Sequence, residues 1–358
     1  MEQNGLEPNK KLAIPVDLIR TLAIGLVVLL HASNESLQAP SVPVPYWWTA
    51  LIYKSLALSC VPLFVMLSGA LLLQPAKLNE PIRVFLKKRL TRIGLAFVFW
   101  SMVYLAWGFF VYNVPVTLDN VVQGIVKDLF SGAWYQFWFI YLIIGLYLVT
   151  PILRVIIAYG NQRITRYLIG LWFAGVAILP LIQLGFGYTL DAGVFVLGGF
   201  IGYFVMGSYL QKITLRNAIL YGLLIASFVG TVFSVWLMTY PLSGLGQSDY
   251  FLGYLTVNVI VGSAALFLLL LKVKPDWPGT NNPMRPVVQA ISNNTLPIFL
   301  FHIIILETFE RGLLGFKISY TTLNPIIEIP LLAALTFFIT LGLVLLMRRV
   351  PVLKKLIG

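Results

Sequence analysis

Charge is what this sequence has least of. Only 11% of its 358 residues are Asp, Glu, Lys or Arg, less than half of the roughly 25% of an ordinary soluble domain, and that excludes a soluble globular protein. Cysteine is nearly absent: Cys60 stands alone inside an apolar run, which excludes an intramolecular disulfide and leaves the redox compartment unread. Acid is scarcer than base, 13 residues against 25, for a net charge of +12. Such a surplus suits nucleic acid when it is clustered on one surface. Here the basic residues are confined to short segments between apolar runs, the pattern of topology determinants, so no nucleic-acid partner is expected. No polar stretch is long enough for a second soluble domain, and no internal repeat is visible. A cleavable signal peptide is not expected either, since the first apolar run is too long and continues into Ser33 without a small-residue cleavage site.

What the chain has is apolar length. With 59% hydrophobic residues and a mean hydropathy of +0.89, it reads as an all-α polytopic membrane protein. Ten runs of roughly 18 to 25 residues suit the bilayer core, at about 14–33, 48–74, 93–112, 134–153, 167–185, 192–210, 217–240, 251–271, 288–309 and 325–347. Assigning the N-terminus to the cytoplasm puts all but five of the 25 Lys and Arg residues on the inner side. Lys127, Arg311 and Lys317 fall outside, and Arg20 and Lys54 within spans. By the positive-inside rule both termini are therefore expected to be cytoplasmic. The expectation is one transmembrane domain over 1–358, with short cytoplasmic tails at about 1–13 and 348–358.

Three constellations could carry chemistry. The first is VDLIRTLAIGLVVLLHASNE, Val16 to Glu35, an apolar helix holding Asp17, Arg20 and His31. An ionisable side chain inside a span costs roughly 2.5–3.5 kcal/mol at mid-bilayer on insertion scales unless it faces protein or water. Arg20 and His31 share one helical face about 16 Å apart. The chain has only two histidines, His31 and His302 in LPIFLFHIII. Histidine is suited to taking and returning a proton near neutral pH, although helix packing is the plainer role for either. Glu35, four residues on, could orient the His31 imidazole or be a solvated helix end. Asp17 suits the helix dipole or a pairing with Arg20.

The second is KKRLTRIGLAF, where Arg89 and Arg92 are neighbours on one face and present paired forks suited to phosphate oxygens. Lys87 and Lys88 read as topology determinants. The third is WYQFWFIYL: Trp134 as interfacial belt, and Trp138 and Tyr141 deeper, lining a cavity or simply packing. Lys54 either snorkels to the surface or binds substrate. In VPLFVMLSG, Pro62 predicts a kink and Ser68-Gly69 a close helix contact. Trp47, Trp48 and Asp191 are further acceptor contacts to consider.

Arg20 and His31 with ten residues between them, VPLFVMLSG, the Arg89–Arg92 pair, WFIYL and SNNTLPIFLFH, in that order along most of the chain, resemble the acyltransferase-3 family of integral membrane acyltransferases. The resemblance implies a plasma-membrane enzyme that takes an acyl group from cytoplasmic acyl-CoA, most often acetyl-CoA, and transfers it to a hydroxyl of an extracytoplasmic or lipid-linked glycan. Some relatives carry a fused SGNH-type domain, which is not expected here. The expected roles are catalysis by His31, Arg20 and Glu35, donor binding by Arg89, Arg92 and Arg20, and acceptor binding by Trp138, Tyr141, His302 and Lys54. No metal is expected. Membrane lipids are partners, and a homo-oligomer or envelope-synthesis complex is compatible with the reading. Direct transfer and an acyl-histidine relay both remain open, as does acetyl against succinyl or longer groups. The alternative from another class is an exporter of polysaccharide or lipid-linked sugar with Arg20, His31, Lys54 and His302 along its pathway, though no repeated halves support it.

Overall fold

The structure is a computed structural model that describes residues 14–39, 42–186, 199–242 and 249–358. Lys10, Lys11, Asp191 and the beginning of the expected sixth span lie outside the described residues. Among the described residues the chain is helical without strands, as lipid demands of a backbone that must satisfy its own N–H and C=O groups. The helices are α1 (Val16–Ala32), α2 (Asn34–Gln38), α3 (Val44–Ala57), α4 (Cys60–Leu72), α5 (Ile82–Tyr112), α6 (Leu118–Ser131), α7 (Trp138–Tyr159) and α8 (Gln162–Phe173). They continue with α9 (Leu179–Phe186), α10 (Ile201–Leu210), α11 (Asn217–Thr239), α12 (Val257–Leu271), α13 (Arg285–Asn293), α14 (Thr295–Glu310), α15 (Pro325–Met347) and α16 (Pro351–Leu356).

Among the described residues, seven stretches are long and apolar enough to cross a membrane, or eight if α13 and α14 are one broken span. The chain is thus a multi-pass membrane protein. Length and composition alone do not reach the ten spans expected, because α1 has 17 residues and α10 has 10. The second expected span is present as one stretch, Val44–Leu72, with a turn between α3, which stops at Ala57, and α4, which begins at Cys60 with Pro62 in its first turn, where the missing N–H has no helical partner to lose. The third is longer than expected. Arg89 and Arg92 lie on α5, one continuous helix of 31 residues with its apolar portion. The ninth bends by 81° between α13 and α14, so the SNNT residues form a corner.

Helix α1 is the hub, packed against α3, α4, α13, α14 and α15. The contact expected at Ser68-Gly69 is present: α4 lies so close to α10 that a Cβ at Gly69 would overlap the Phe204 carbonyl, and one at Gly207 the Met66 carbonyl. Arg154 is buried as a staple, its guanidinium paired with Glu80 at 2.9 Å, donating to the Leu72 carbonyl at 2.8 Å and stacked over Phe85. The C-terminal segment does not hang free. Helix α16 packs on α5, Ile357 is fully buried, and its carbonyl accepts from the Trp100 indole at 3.4 Å.

Candidate active site

Two cavities each take a wall residue from α1, Arg20 in one and His31 in the other. The first, about 220 Å³, gathers Arg20 of α1, Arg89 and Arg92 of α5, Tyr147 of α7, and Ser292 and Asn293 from the corner before α14. Arg89 lies 5.9 Å from the Tyr147 ring centroid, and its Nε is buried without a partner. None of the ion pairs among the described residues involves Arg20, Arg89 or Arg92. Three guanidinium groups therefore face one small space without a neutralising ion pair, an arrangement matched to an anion. Asp17 does not form an ion pair with Arg20; its Oδ1 accepts from Ser292 Oγ at 2.6 Å and ties α1 to the corner.

The second cavity, about 890 Å³, holds His31, Asn34, Glu35, Tyr135, Glu307 and Glu310, with Arg311 and Lys317 on its wall. Here the polar contacts fix a chain of roles. Lys54 can only donate, so its 3.0 Å contact makes Asn34 Oδ1 the acceptor. Asn34 Nδ2 then donates toward His31 Nδ1 at 3.4 Å, so a neutral His31 carries its proton on Nε2. His302 is fully buried, and its Nδ1 meets the Phe299 carbonyl at 2.7 Å and that of Ile298 at 3.2 Å. Its Nδ1 is therefore the protonated nitrogen, and the bare Nε2 is buried without a partner. The two imidazole centroids are 5.2 Å apart.

A series of ring contacts leads from the first cavity to the second. Phe64, Phe139 and Phe299 close the apolar end of the arginine cavity, with ring separations of 6.1 Å from Phe64 to Phe139 and 5.1 Å from Phe139 to Phe299. Phe299 lies 6.0 Å from His302, which meets His31. Phe299, on the wall of the arginine cavity, is thus joined through His302 to His31, on the wall of the polar one.

Several expected residues fall elsewhere. Glu35 borders the His31 cavity but faces Lys317 at 3.7 Å, because a turn at Ser33 breaks the helix and hands the His31 contact to Asn34. Burial holds the Glu35 carboxyl above its ordinary pKa, with Lys317 partly offsetting. Arg20 stands with the other arginines and not with His31. Tyr141 donates to the Leu129 carbonyl at 2.9 Å and Trp138 stacks on Tyr254 at 5.8 Å; neither borders the two cavities. Trp134 is not a belt residue in its contacts: its indole and that of Trp107 hold the two oxygens of Glu307, at 2.8 and 3.0 Å. The α7 residues lining the arginine cavity are Phe139, Ile143 and Tyr147, with Tyr135 of the preceding turn on the polar one, one position round from the expected face. A 3₁₀ turn at Tyr135–Phe137 precedes α7, which removes the helical spacing from Trp134 to Trp138. Sequence reasoning also missed Asn34, Glu307, Glu310 and the phenylalanines, whose signal is lost among 24 Phe and an apolar background. Ser292 and Asn293 were within SNNT and could have been found there.

Residues 15–346 match the family model described as an acyltransferase domain. The chain belongs to the acyltransferase-3 family. No curated protein and no solved structure matches it in the comparisons made. As an acyltransferase-3 protein it is a membrane enzyme that moves an acyl group from a donor to an acceptor.

Proposed function

We propose that this acyltransferase carries an acetyl group from cytoplasmic acetyl-CoA to a hydroxyl of a carbohydrate on the other side of the plasma membrane. The observation that carries the reading is the pairing of an arginine-lined cavity with a polar one through the ring contacts that lead from Phe299 to His31. The Lys and Arg bias orients the arginine cavity to the cytoplasm. Arg89, Arg92 and Arg20 would hold donor phosphate and carbonyl oxygens, and the pantetheine arm would pass Tyr147 toward Phe299. The opposite cavity, lined by carboxylates, an amide and a phenol, offers the mixed acceptors and donors that a polyhydroxylated ligand takes up.

In the transfer, the acceptor oxygen attacks the thioester carbonyl, its proton passes to His31 Nδ1 in place of the long Asn34 contact, and the thiolate of CoA leaves and takes up a proton. His302, 5.2 Å away between ring centroids, would back the His31 ring. The phenylalanine wall must part for the thioester to reach His31, so donor and acceptor meet only when both are bound.

The test is binding of acetyl-CoA to the purified protein, compared with an Arg89→Ala/Arg92→Ala variant, together with mass analysis of envelope glycans from cells with and without the protein. Saturable binding lost in the variant, with loss of acetyl groups from a glycan, is expected. No binding at millimolar donor would overturn the reading and favour export.

A further inference from the structure

The arginine cavity does not end at Arg92. Arg92 and Asn293 border it and also border an open basin of about 830 Å³. The basin's other cations are Arg348, Lys354 and Lys355, and no acidic side chain lines it. Arg348 bridges the two rims, donating to the Asn293 backbone oxygen at 3.4 Å and to that of Gly358 at 2.9 Å, while its Nε is buried without a partner. Burial, and then the charge of Arg92, press the Arg348 pKa down.

The chain brings these charges together at a cost. Helix α16 is docked on α5 by the buried Ile357 and the Trp100 hydrogen bond, and that docking carries two exposed lysines to the side of α5 where Arg92 already stands. Like charges gathered around an open space repel until an anion enters. An anion there would be continuous with whatever occupies the arginine cavity, because two residues belong to both walls.

We infer that the docked C-terminal segment is the nucleotide end of the donor site: Arg348, Lys354 and Lys355, with Arg92, hold the diphosphate and 3′-phosphate of the acyl-CoA while its pantetheine arm lies in the arginine cavity. The inference rests on the acyl-CoA reading above and adds a subsite to it. The arm then needs only Arg20, Arg89 and the apolar end of the cavity, which explains how a space of about 220 Å³ serves a donor much larger than itself.

Three donors test this on the full-length protein in nanodiscs: acetyl-CoA, its 3′-dephospho form, and S-acetylpantetheine, which lacks the nucleotide. In Lys354→Gln/Lys355→Gln, acetyl-CoA should bind about tenfold or more weakly, corresponding to about 1.4 kcal/mol. The dephospho donor should lose less, S-acetylpantetheine should bind as before, and Lys354→Arg/Lys355→Arg should restore the loss. Both lysines are exposed, so the variant should fold, which an unchanged elution profile and thermal transition would establish. Each measurement is made in phosphatidylcholine alone and with phosphatidylglycerol added. A loss seen only with the anionic lipid assigns the basin to lipid headgroups and overturns the inference, as does an equal loss for all three donors or none for any. If the unmodified protein binds none of the donors, the acyl-CoA reading itself fails; if it binds acetyl-CoA and the glutamine variant binds it equally, only the subsite does.

Discussion

The His302 ring lies 5.2 Å from the His31 ring, centroid to centroid, and only one of the pair reaches a cavity wall. His31 faces the polar space and His302 stands behind it with its Nδ1 already given to carbonyls. The two should therefore fail differently. His31→Gln should lower transfer by about 10²- to 10⁴-fold, the usual contribution of general acid–base catalysis, with acetyl-CoA binding intact. His302→Phe keeps an aromatic ring, somewhat larger than the imidazole, and removes the nitrogen pair, so its loss should be smaller and appear in kcat. Full activity in His31→Gln with both substrates bound normally would exclude direct transfer, and a trapped acyl-enzyme would favour the relay.

A second consequence concerns Lys54, which reaches His31 only through Asn34. Lys54→Met leaves Asn34 Oδ1 without its donor and frees the amide to turn, so the His31 tautomer is no longer imposed. One neutral hydrogen bond contributes about 0.5–1.5 kcal/mol, so kcat should fall by up to about tenfold while KM for the donor stays constant. Asn34→Leu should do the same. A change confined to acceptor KM would mean that Lys54 contacts substrate directly, as the sequence reading allowed.

The Glu35 carboxyl has a testable pH signature. Its pKa is raised by burial, so the folded state holds a proton that the unfolded chain releases at the ordinary carboxylate value. The stabilisation is full below that value, at about pH 4, and is lost as pH rises through the folded-state pKa. Glu35→Gln does not titrate. Thermal unfolding from about pH 4 to pH 7 should therefore show the variant gaining on the unmodified protein as pH rises. The lost pairing with Lys317, at 3.7 Å and partly exposed, contributes little. A constant gap between the two proteins, or one that narrows, would contradict the assignment.

Fold class and much of the arginine cavity were legible in the sequence for one reason: charge is so scarce that each exception is conspicuous. Arg20, Arg89 and Arg92 converge as their charges suggested, and His31 and His302 adjoin. What was hidden depended on where helices break. A turn at Ser33 moved the His31 partner from Glu35 to Asn34, and a 3₁₀ turn before Trp138 rotated the working face of α7 from Trp138 and Tyr141 to Phe139 and Tyr147. Both are shifts of one position, which hydropathy does not resolve because every face of these helices is apolar. The role of Glu307 was hidden for another reason, since the indoles that hold it lie 200 and 173 positions away.

The wall formed by Phe139 and Phe299 makes the sharpest prediction about coupling. If it keeps water from the donor until the acceptor is seated, thinning it should uncouple thioester cleavage from transfer. Phe299→Leu preserves an apolar residue at a position 5% exposed and avoids the 3–5 kcal/mol typical of Phe→Ala, so the helix corner and the His302 contact to the residue-299 carbonyl should survive. Release of free CoA without acceptor should rise severalfold over the unmodified protein, and the yield of acylated product per CoA released should drop. His31→Gln combined with Phe299→Leu should suppress that release, because the water that enters from the polar cavity needs the same base as a sugar hydroxyl. If CoA release stays acceptor-dependent in Phe299→Leu, the barrier between the cavities lies elsewhere and the phenylalanines serve packing alone.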